Sequence, residues 1–401
     1  MLMVIITEGL AWLGLEAFDI LMPQTELIPR TAQIYEEQSI YIENLLESQK
    51  EGSESALILD PDLGWRYREN YDSPMQRINH QGIRSDREYT RIAASGMLRI
   101  AVFGNSFAYG SEVPNSKAWS KQVETIFPKF EVLNYAVPGF GTDQAYLRYL
   151  REGQVLAPQF VIIGFAHVNL RRAVNVYRRF ISTNELPLVK PRFTLDKQGK
   201  LELIPVPYKE VDDYKQLLER PQLTKELGNN DQWYSPAVYE NPIYDWSATA
   251  RLVINIGIVL NRKVFDPDRL LLGSILEDRI FNNKSLAFQI QSKILKKFYN
   301  TVLESDSTPI IMFFPGKDDI YRAQAGKQKT YDPLIEFLKL HNLDYIDCVE
   351  TFIELPRILN VDQLFAPGGH YSIKANMIVA EFVGNKISEI KDTNAVKGLG
   401  P

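Results

Sequence analysis

Residues 98–110 read Leu98-Arg99-Ile100-Ala101-Val102-Phe103-Gly104-Asn105-Ser106-Phe107-Ala108-Tyr109-Gly110, and they decide the fold. The run from Leu98 to Phe103 is almost entirely apolar, which is typical of a short strand buried on both faces of a parallel sheet. Gly104 permits a sharp exit from that strand, so that Ser106 can stand at its carboxyl end, where open α/β sheets bind ligands. The stretch therefore predicts a serine placed for chemistry, although an ordinary strand-to-loop turn has the same pattern.

Four more apolar runs repeat this pattern. Strands are predicted at residues 98–103, 131–137, 160–165, 309–314 and 344–349, and helices at 144–153, 331–340 and 372–390. Alternating buried strands and helices predict an α/β fold with a doubly wound parallel sheet. The third and fourth strands are separated by far more chain than one crossover needs. We therefore expect an insertion at about 175–305 that forms a lid or wall over the site.

The first 95 residues read as an extension to this sheet. Residues 31–49 have the pattern of a polar, exposed helix, and residues 60–90 are rich in turn residues. We predict a helical and small β extension over residues 1–95 and an α/β domain over residues 96–401. For Arg84 and His80, which lie in the turn-rich part, we expect a surface-loop role, with contact to the site as the alternative.

Residues 1–22 are apolar but carry Glu8, Glu16 and Asp19, and they contain no basic residue. The segment therefore lacks the features of a signal peptide and of a complete transmembrane helix, and we expect a soluble chain. A helix docked on the protein or lying at a membrane surface is predicted, which makes peripheral membrane contact an expected interaction. The alternative is that these residues are the remainder of a longer segment. The cellular compartment is not predicted.

The composition argues against several classes of function. The 401 residues carry a net charge of −5 without a dominant basic stripe, which argues against a nucleic-acid partner. The four histidines lack metal-ligand spacing, and Gln144 stands where a dinucleotide loop starting at Gly139 needs its third glycine. We therefore expect neither a metal nor a cofactor. Cys348, the single cysteine, cannot form an internal disulfide.

Polar or unhindered groups follow successive strand ends. Ser106 supplies a hydroxyl, Gly139 an unobstructed backbone N–H, and Asn169 a carboxamide, while His370 places an imidazole just before the last predicted helix. Hydrolytic acyl transfer needs a nucleophile, a base and preorganised donors for an oxyanion. These residues supply a nucleophile, a base and two donors.

The four blocks Gly104-Asn105-Ser106, Gly139, Asn169 and His370 stand in the order found in the SGNH or GDSL-like hydrolases, which this chain resembles. The resemblance implies a flavodoxin-like three-layer fold with strand order 2-1-3-4-5, and esterase, lipase or carbohydrate O-acyl chemistry. It implies that Ser106 attacks and His370 takes its proton. The N–H groups of Ser106 and Gly139, with the Asn169 amide, would then hold the oxyanion.

The chain departs from the family pattern at three positions. Asn105 replaces an aspartate, and we expect its carboxamide to tie the serine loop to neighbouring backbone groups. His167 stands in place of a glycine, and Pro367 occupies the position of the acid. The partner of the imidazole is therefore open. The alternatives are a backbone carbonyl, Asp362, Asp347 or no functional partner. For Asp347, a turn-capping role is the competing explanation.

Two classes of function follow. The first is a serine esterase or O-acyltransferase acting on a small-molecule or saccharide ester. The second is a non-catalytic SGNH-like binding or assembly protein that has lost the acid. Several cations after the third strand could form a positive rim for an anionic substrate or could be solvated surface groups; they are Arg171, Arg172, Arg178, Lys190 and Arg192.

Overall fold

The computed structural model of the chain describes residues 1–21, 31–50, 53–182, 185–264, 275–353 and 360–396. The strands in these ranges are β1 (Leu57–Asp60), β2 (Gly64–Tyr67), β3 (Tyr71–Asp72), β4 (Arg77–Ile78), β5 (Leu98–Phe103), β6 (Phe130–Asn134), β7 (Phe160–Ala166), β8 (Arg192–Leu195), β9 (Leu201–Ile204), β10 (Leu276–Glu277), β11 (Ile280–Phe281), β12 (Thr308–Phe314) and β13 (Tyr345–Asp347). The α-helices are α1 (Leu2–Leu21), α2 (Thr31–Ser48), α3 (Ser106–Tyr109), α4 (Trp119–Ile126), α5 (Thr142–Glu152), α6 (Val168–Arg172), α7 (Val211–Glu219), α8 (Thr224–Gly228), α9 (Pro236–Tyr239), α10 (Ile243–Trp246), α11 (Ala248–Val264), α12 (Leu286–Leu303), α13 (Lys317–Gln324), α14 (Asp332–Leu340), α15 (Val349–Ile353) and α16 (Ile373–Val396).

Five of these strands form one sheet in the order β13-β12-β7-β5-β6. All neighbouring pairs are parallel, which confirms the predicted order 2-1-3-4-5 and the predicted pairing. Helix α4 packs on α16, and α5 packs on α12, so that helices flank the sheet in the expected three-layer α/β architecture. Every residue of β5, β6 and β7 is buried, as strands covered on both faces require.

The N-terminal helices pack on the rest of the protein. The prediction of an exposed helix at 31–49 is wrong for one face of α2, where Ile34, Ile42 and Leu45 are buried at helical spacing. Helix α1 packs against α11, and its Glu8 carboxylate accepts a hydrogen bond from the Ser247 hydroxyl at 2.9 Å. The segment predicted to dock is thus a docked helix. Within the described ranges, no helix combines the length and apolar character needed to cross a bilayer.

The insertion contacts α5, the helix that follows β6. β8 and β9 form an antiparallel hairpin, and β8 contacts both α5 and α12. Lys190, just before β8, forms an ion pair with Asp143 of α5 at 2.5 Å, and both side chains are fully buried. Burial lowers the pKa of Lys190 to about 8, against the opposing effect of Asp143. The lid role of the insertion and the domain boundaries stay predictions.

Two glycines allow α3 to sit directly on the sheet. Gly104 has a φ of +154°, and a Cβ there would lie 2.7 Å from the Cβ of Ala108. A Cβ on Gly164 in β7 would lie equally close, at 2.7 Å, to the same methyl group. The Ala108 methyl therefore occupies the space that two absent side chains leave. This close approach holds Ser106 at the carboxyl ends of β5 and β7.

Gly164→Ala should destabilise the protein by about 1–3 kcal/mol through overpacking, because the added methyl would meet Ala108 and, at 2.9 Å, the Phe314 ring. Chemical denaturation followed by fluorescence measures the free energy of unfolding. Gly9→Ala in α1 is the control, since its methyl would meet nothing within 4 Å and should not lower stability. Equal stability of Gly164→Ala and the parent would show that α3 does not need this close approach.

Candidate active site

Asn105 caps the short helix that Ser106 begins. Its Oδ1 accepts hydrogen bonds from the N–H groups of Phe107 (2.9 Å) and Ala108 (3.4 Å). Its Nδ2 donates to Oδ1 of Asn169. Because a carboxamide accepts and donates at once, this side chain both caps the helix and joins the serine loop to the segment after β7. The expectation that Asn105 ties the serine loop to backbone groups is confirmed.

Asn169 is fully buried and connects three segments at the edge of the sheet. Its Oδ1 accepts from Asn105 and from the Ala166 N–H at 2.9 Å. Its Nδ2 faces the Phe140 carbonyl oxygen at 3.5 Å, which is long for an N–H···O hydrogen bond. The Asn169 amide is therefore oriented through its oxygen, while its N–H group is weakly held and available to a better acceptor.

Gly139 lies in the same loop as Phe140. Its φ is +86°, and the Trp65 indole lies 3.2 Å from the position that a Cβ would occupy. The indole Nε1 also donates to the Pro138 carbonyl at 3.3 Å. A side chain at position 139 would be strained and would meet the indole. The glycine loop is thus linked to Asn169, and Asn169 to the serine loop.

His370 reaches the serine helix from the loop before α16. Its ring lies against the Phe107 ring with 5.1 Å between centroids, and Phe107 directly follows Ser106. Its Nδ1 shares a hydrogen bond with a carboxylate oxygen of Glu112 at 2.7 Å. Within the described residues no hydrogen bond joins the imidazole to the Ser106 hydroxyl, so a direct Ser106–His370 contact stays a prediction.

Glu112 also binds the backbone of the histidine loop. One carboxylate oxygen accepts from the N–H of Gly368 (2.7 Å) and the other from the N–H of His370 (2.9 Å). Burial opposes ionisation of this carboxyl group, but the two N–H groups and the imidazole outweigh it and lower the pKa of Glu112. Glu112 is therefore ionised at neutral pH and can hold the imidazole in one orientation and tautomer.

The partners expected for His370 from the sequence are wrong. Asp362 instead pairs with Lys317 at 2.8 Å, and 56% of its side chain is exposed. Asp347 is buried and accepts a hydrogen bond from the N–H two residues further along at 3.1 Å, so it caps a turn. A backbone carbonyl is not the partner of Nδ1 either, because Glu112 takes that place.

Sequence reasoning missed Glu112 because 258 residues separate it from His370. In addition, Glu112 has a left-handed backbone with a φ of +67°, a conformation that few residues other than glycine adopt and that the sequence does not indicate. One signal was available. Glu112 is an acidic residue six positions after Ser106, and Pro367 stands where the family pattern places its acid.

Arg84 supports the loop that carries Glu112. Its guanidinium donates to the carbonyl oxygens of Tyr109 (2.7 Å), Gly110 (2.7 Å) and Val113 (2.6 Å). It is buried, with 6% of the residue exposed, so the expected surface-loop role is wrong. His80, for which the same role was expected, is exposed.

Three of the five cations that follow β7 are not solvated surface groups, and Arg171 and Arg172 are half-buried. Arg178, Lys190 and Arg192 are buried, which corrects that expectation for these three. Arg178 pairs with Glu185 at 2.5 Å, and Arg192 donates to the Val174 carbonyl at 3.0 Å. Three of the five cations are therefore held inside the protein, and Lys190 among them lies close to Gly141.

Comparison with solved structures finds proteins of similar architecture. The chain is similar to a member of the lipolytic protein G-D-S-L family from Veillonella parvula (12% identity, TM-score 0.34, 71% of this chain and 96% of that one). It is also similar to the lipase/acylhydrolase from Enterococcus faecalis (12%, 0.34, 73% and 95%) and to an acetylxylan esterase from Geobacillus stearothermophilus (10%, 0.35, 74% and 95%). No protein-family model and no curated protein sequence matches the chain.

Glu112→Gln should lower kcat for ester hydrolysis by about 10²–10⁴. The Nδ1–H group of His370 needs an acceptor, and the glutamine amide can present an N–H group there instead of an oxygen. Release of para-nitrophenol from para-nitrophenyl acetate measures the rate.

Asp362→Asn is the matched control, since this carboxylate is exposed and bound to Lys317. It should keep the parental rate. A severe loss in Asp362→Asn together with a normal rate in Glu112→Gln would return Asp362 to the site.

Proposed function

We propose that this protein is a serine-dependent acyl ester hydrolase or O-acyltransferase of the SGNH type. In this proposal Ser106 is the nucleophile, His370 the general base, and Glu112 the carboxylate that orients the base. The observation that carries the proposal is the 2.7 Å hydrogen bond between Glu112 and His370 Nδ1, beside the helix that Ser106 begins. A nucleophile, a base and an orienting third group form the functional unit of serine esterases.

The arrangement supports a two-step acyl transfer. With Nδ1–H donated to Glu112, the Nε2 atom of His370 is left to accept the Ser106 proton as the hydroxyl oxygen attacks the ester carbonyl carbon. The carboxylate then stabilises the imidazolium, which passes the proton to the departing alkoxide as the ester C–O bond breaks. In the second step the acyl group passes from Ser106 to water in a hydrolase, or to a second alcohol in an acyltransferase.

The developing oxyanion would be held by three donors. They are the backbone N–H groups of Ser106 and Gly139 and the Nδ2 group of Asn169. The long contact of that Nδ2 with the Phe140 carbonyl supports this role, because a weakly held donor can strengthen its bond in the transition state. A small-molecule or saccharide ester is the proposed substrate.

The alternative of a non-catalytic binding or assembly protein depended on the absence of an acid beside His370. Glu112 occupies that place, so the reason for favouring the alternative is gone. We therefore favour the enzyme.

A fluorophosphonate probe should label Ser106 stoichiometrically, because only an activated serine beside a base attacks phosphorus readily. Intact-mass spectrometry and peptide mapping measure the adduct. Ser106→Ala should take up no probe, and His370→Ala should label far more slowly. A folded parent protein that remains unlabelled would support the non-catalytic alternative.

Asn169→Ala should lower kcat by about 10²–10³ if its amide is an oxyanion donor. The same variant also removes an acceptor from Ala166 and Asn105, so thermal unfolding must be measured beside the rate. A folded Asn169→Ala protein with an unchanged rate would remove Asn169 from the oxyanion site.

A further inference from the structure

Arg172 places a guanidinium beside the proposed oxyanion site. Its Nη1 donates to the Phe140 carbonyl oxygen at 3.0 Å, the same atom that Asn169 Nδ2 faces at 3.5 Å. The two side chains thus converge on one carbonyl. Phe140 directly follows Gly139, whose N–H is a proposed oxyanion donor.

No carboxylate in the described ranges forms an ion pair with this guanidinium. Among the described residues, none of the ion pairs with an N···O distance up to 4.0 Å involves Arg172. The neighbouring cations already have acids, since Arg178 pairs with Glu185 and Lys190 with Asp143. Burial, together with the charge of Arg178, lowers the pKa of Arg172, against the opposing charges of Glu185 and Asp143. Arg172 is a half-buried cation that shares these two acids with Arg178 and Lys190, so a ligand of opposite charge would complete its charge balance.

Two more polar groups around the glycine loop lack partners. Nη1 of Arg178 and the hydroxyl oxygen of Thr142 are buried and make no hydrogen bond within the described part of the chain. Arg178 is 2% exposed, and Thr142 is fully buried. Buried donors are normally satisfied, so unsatisfied ones beside a candidate site need an explanation. Neither atom has appreciable accessible surface, so Arg178 adds positive charge near Arg172 without contacting a ligand directly.

We infer that Arg172, backed by Arg178, recognises a negatively charged group on the substrate, so that the enzyme acts on esters that carry a carboxylate. The inference rests on the proposed function and names its substrate class. An arginine binds a carboxylate through two parallel N–H···O bonds, and only one Arg172 nitrogen is used by Phe140. Arg172 is then a specificity residue, whereas Ser106 and His370 carry out the chemistry.

The test compares esters that differ only in charge. For the acyl side, the pair is para-nitrophenyl hexanoate and mono-para-nitrophenyl adipate, with the uncatalysed hydrolysis of each ester subtracted. For the alcohol side, the pair is acetylated oligogalactose and acetylated oligogalacturonate, with acetate release as the readout. The parent should prefer the anionic member of at least one pair in kcat/KM.

Arg172→Gln should lower kcat/KM for the preferred anionic ester about 10–100-fold more than for its neutral partner, the size expected for a lost charged hydrogen bond. Arg172→Lys should restore part of the preference, because it keeps the charge but not the planar fork. Lys197→Gln is the control for net charge: Lys197 is exposed in the turn between β8 and β9, and this variant should change neither rate.

Two outcomes would overturn the inference and leave the proposed function standing. One is an equal loss on charged and neutral esters in Arg172→Gln, which would mean that Arg172 only supports the Phe140 carbonyl. The other is a parent enzyme that hydrolyses neutral esters through Ser106 and shows no anionic preference in either pair. Absence of both hydrolysis and fluorophosphonate labelling would overturn the proposed function together with the inference.

Discussion

The hydrogen bond between the carboxamides of Asn105 and Asn169 holds the candidate site together. It connects the loop after β5 to the segment after β7, and each amide uses its remaining atoms locally, Asn105 to cap α3 and Asn169 to accept from Ala166. An aspartate at position 105 could accept but not donate at neutral pH, so Asn169 would have to rotate its amide and abandon the Ala166 N–H. The two asparagines therefore form a matched pair, and Asn105 is compatible with an oriented Asn169.

The N-terminal extension contributes to the geometry of the site from two directions. Arg84 binds three carbonyl oxygens around the loop that presents Glu112, and the Trp65 indole lies against Gly139. The left-handed backbone of Glu112 costs free energy that surrounding contacts must offset. The Arg84 hydrogen bonds and the bonds of the Glu112 carboxylate to the histidine loop are contacts of this kind. The extension thus acts as part of the scaffold of the α/β domain.

The charge of Arg172 near the glycine loop is less well compensated than the charge of Glu112. Glu112 is partly exposed and bound by three donors, so its charge is well compensated. Arg172, which donates to the Phe140 carbonyl, is less exposed than Glu112, and the two acids whose charges act on it are already paired with Arg178 and Lys190. The proposed hydrolase thus has a charge-balanced Glu112–His370 pair, while Arg172 near the glycine loop shares its acids with other cations. Such an asymmetry suits an ester with one anionic end.

The sequence by itself determined the five parallel strands, their order through the family resemblance, and the positions of Ser106, Gly139, Asn169 and His370 along the chain. These features follow from local patterns, since an apolar run, a glycine turn and a polar residue at a strand end can be read within a few neighbours. Only the tertiary structure decided that Glu112 binds His370, that Arg84 is buried, and that three of the five cations after β7 lie inside the protein. Each of these depends on a contact between segments far apart in the chain, and no local periodicity records which carboxylate or carbonyl a long side chain will reach after folding.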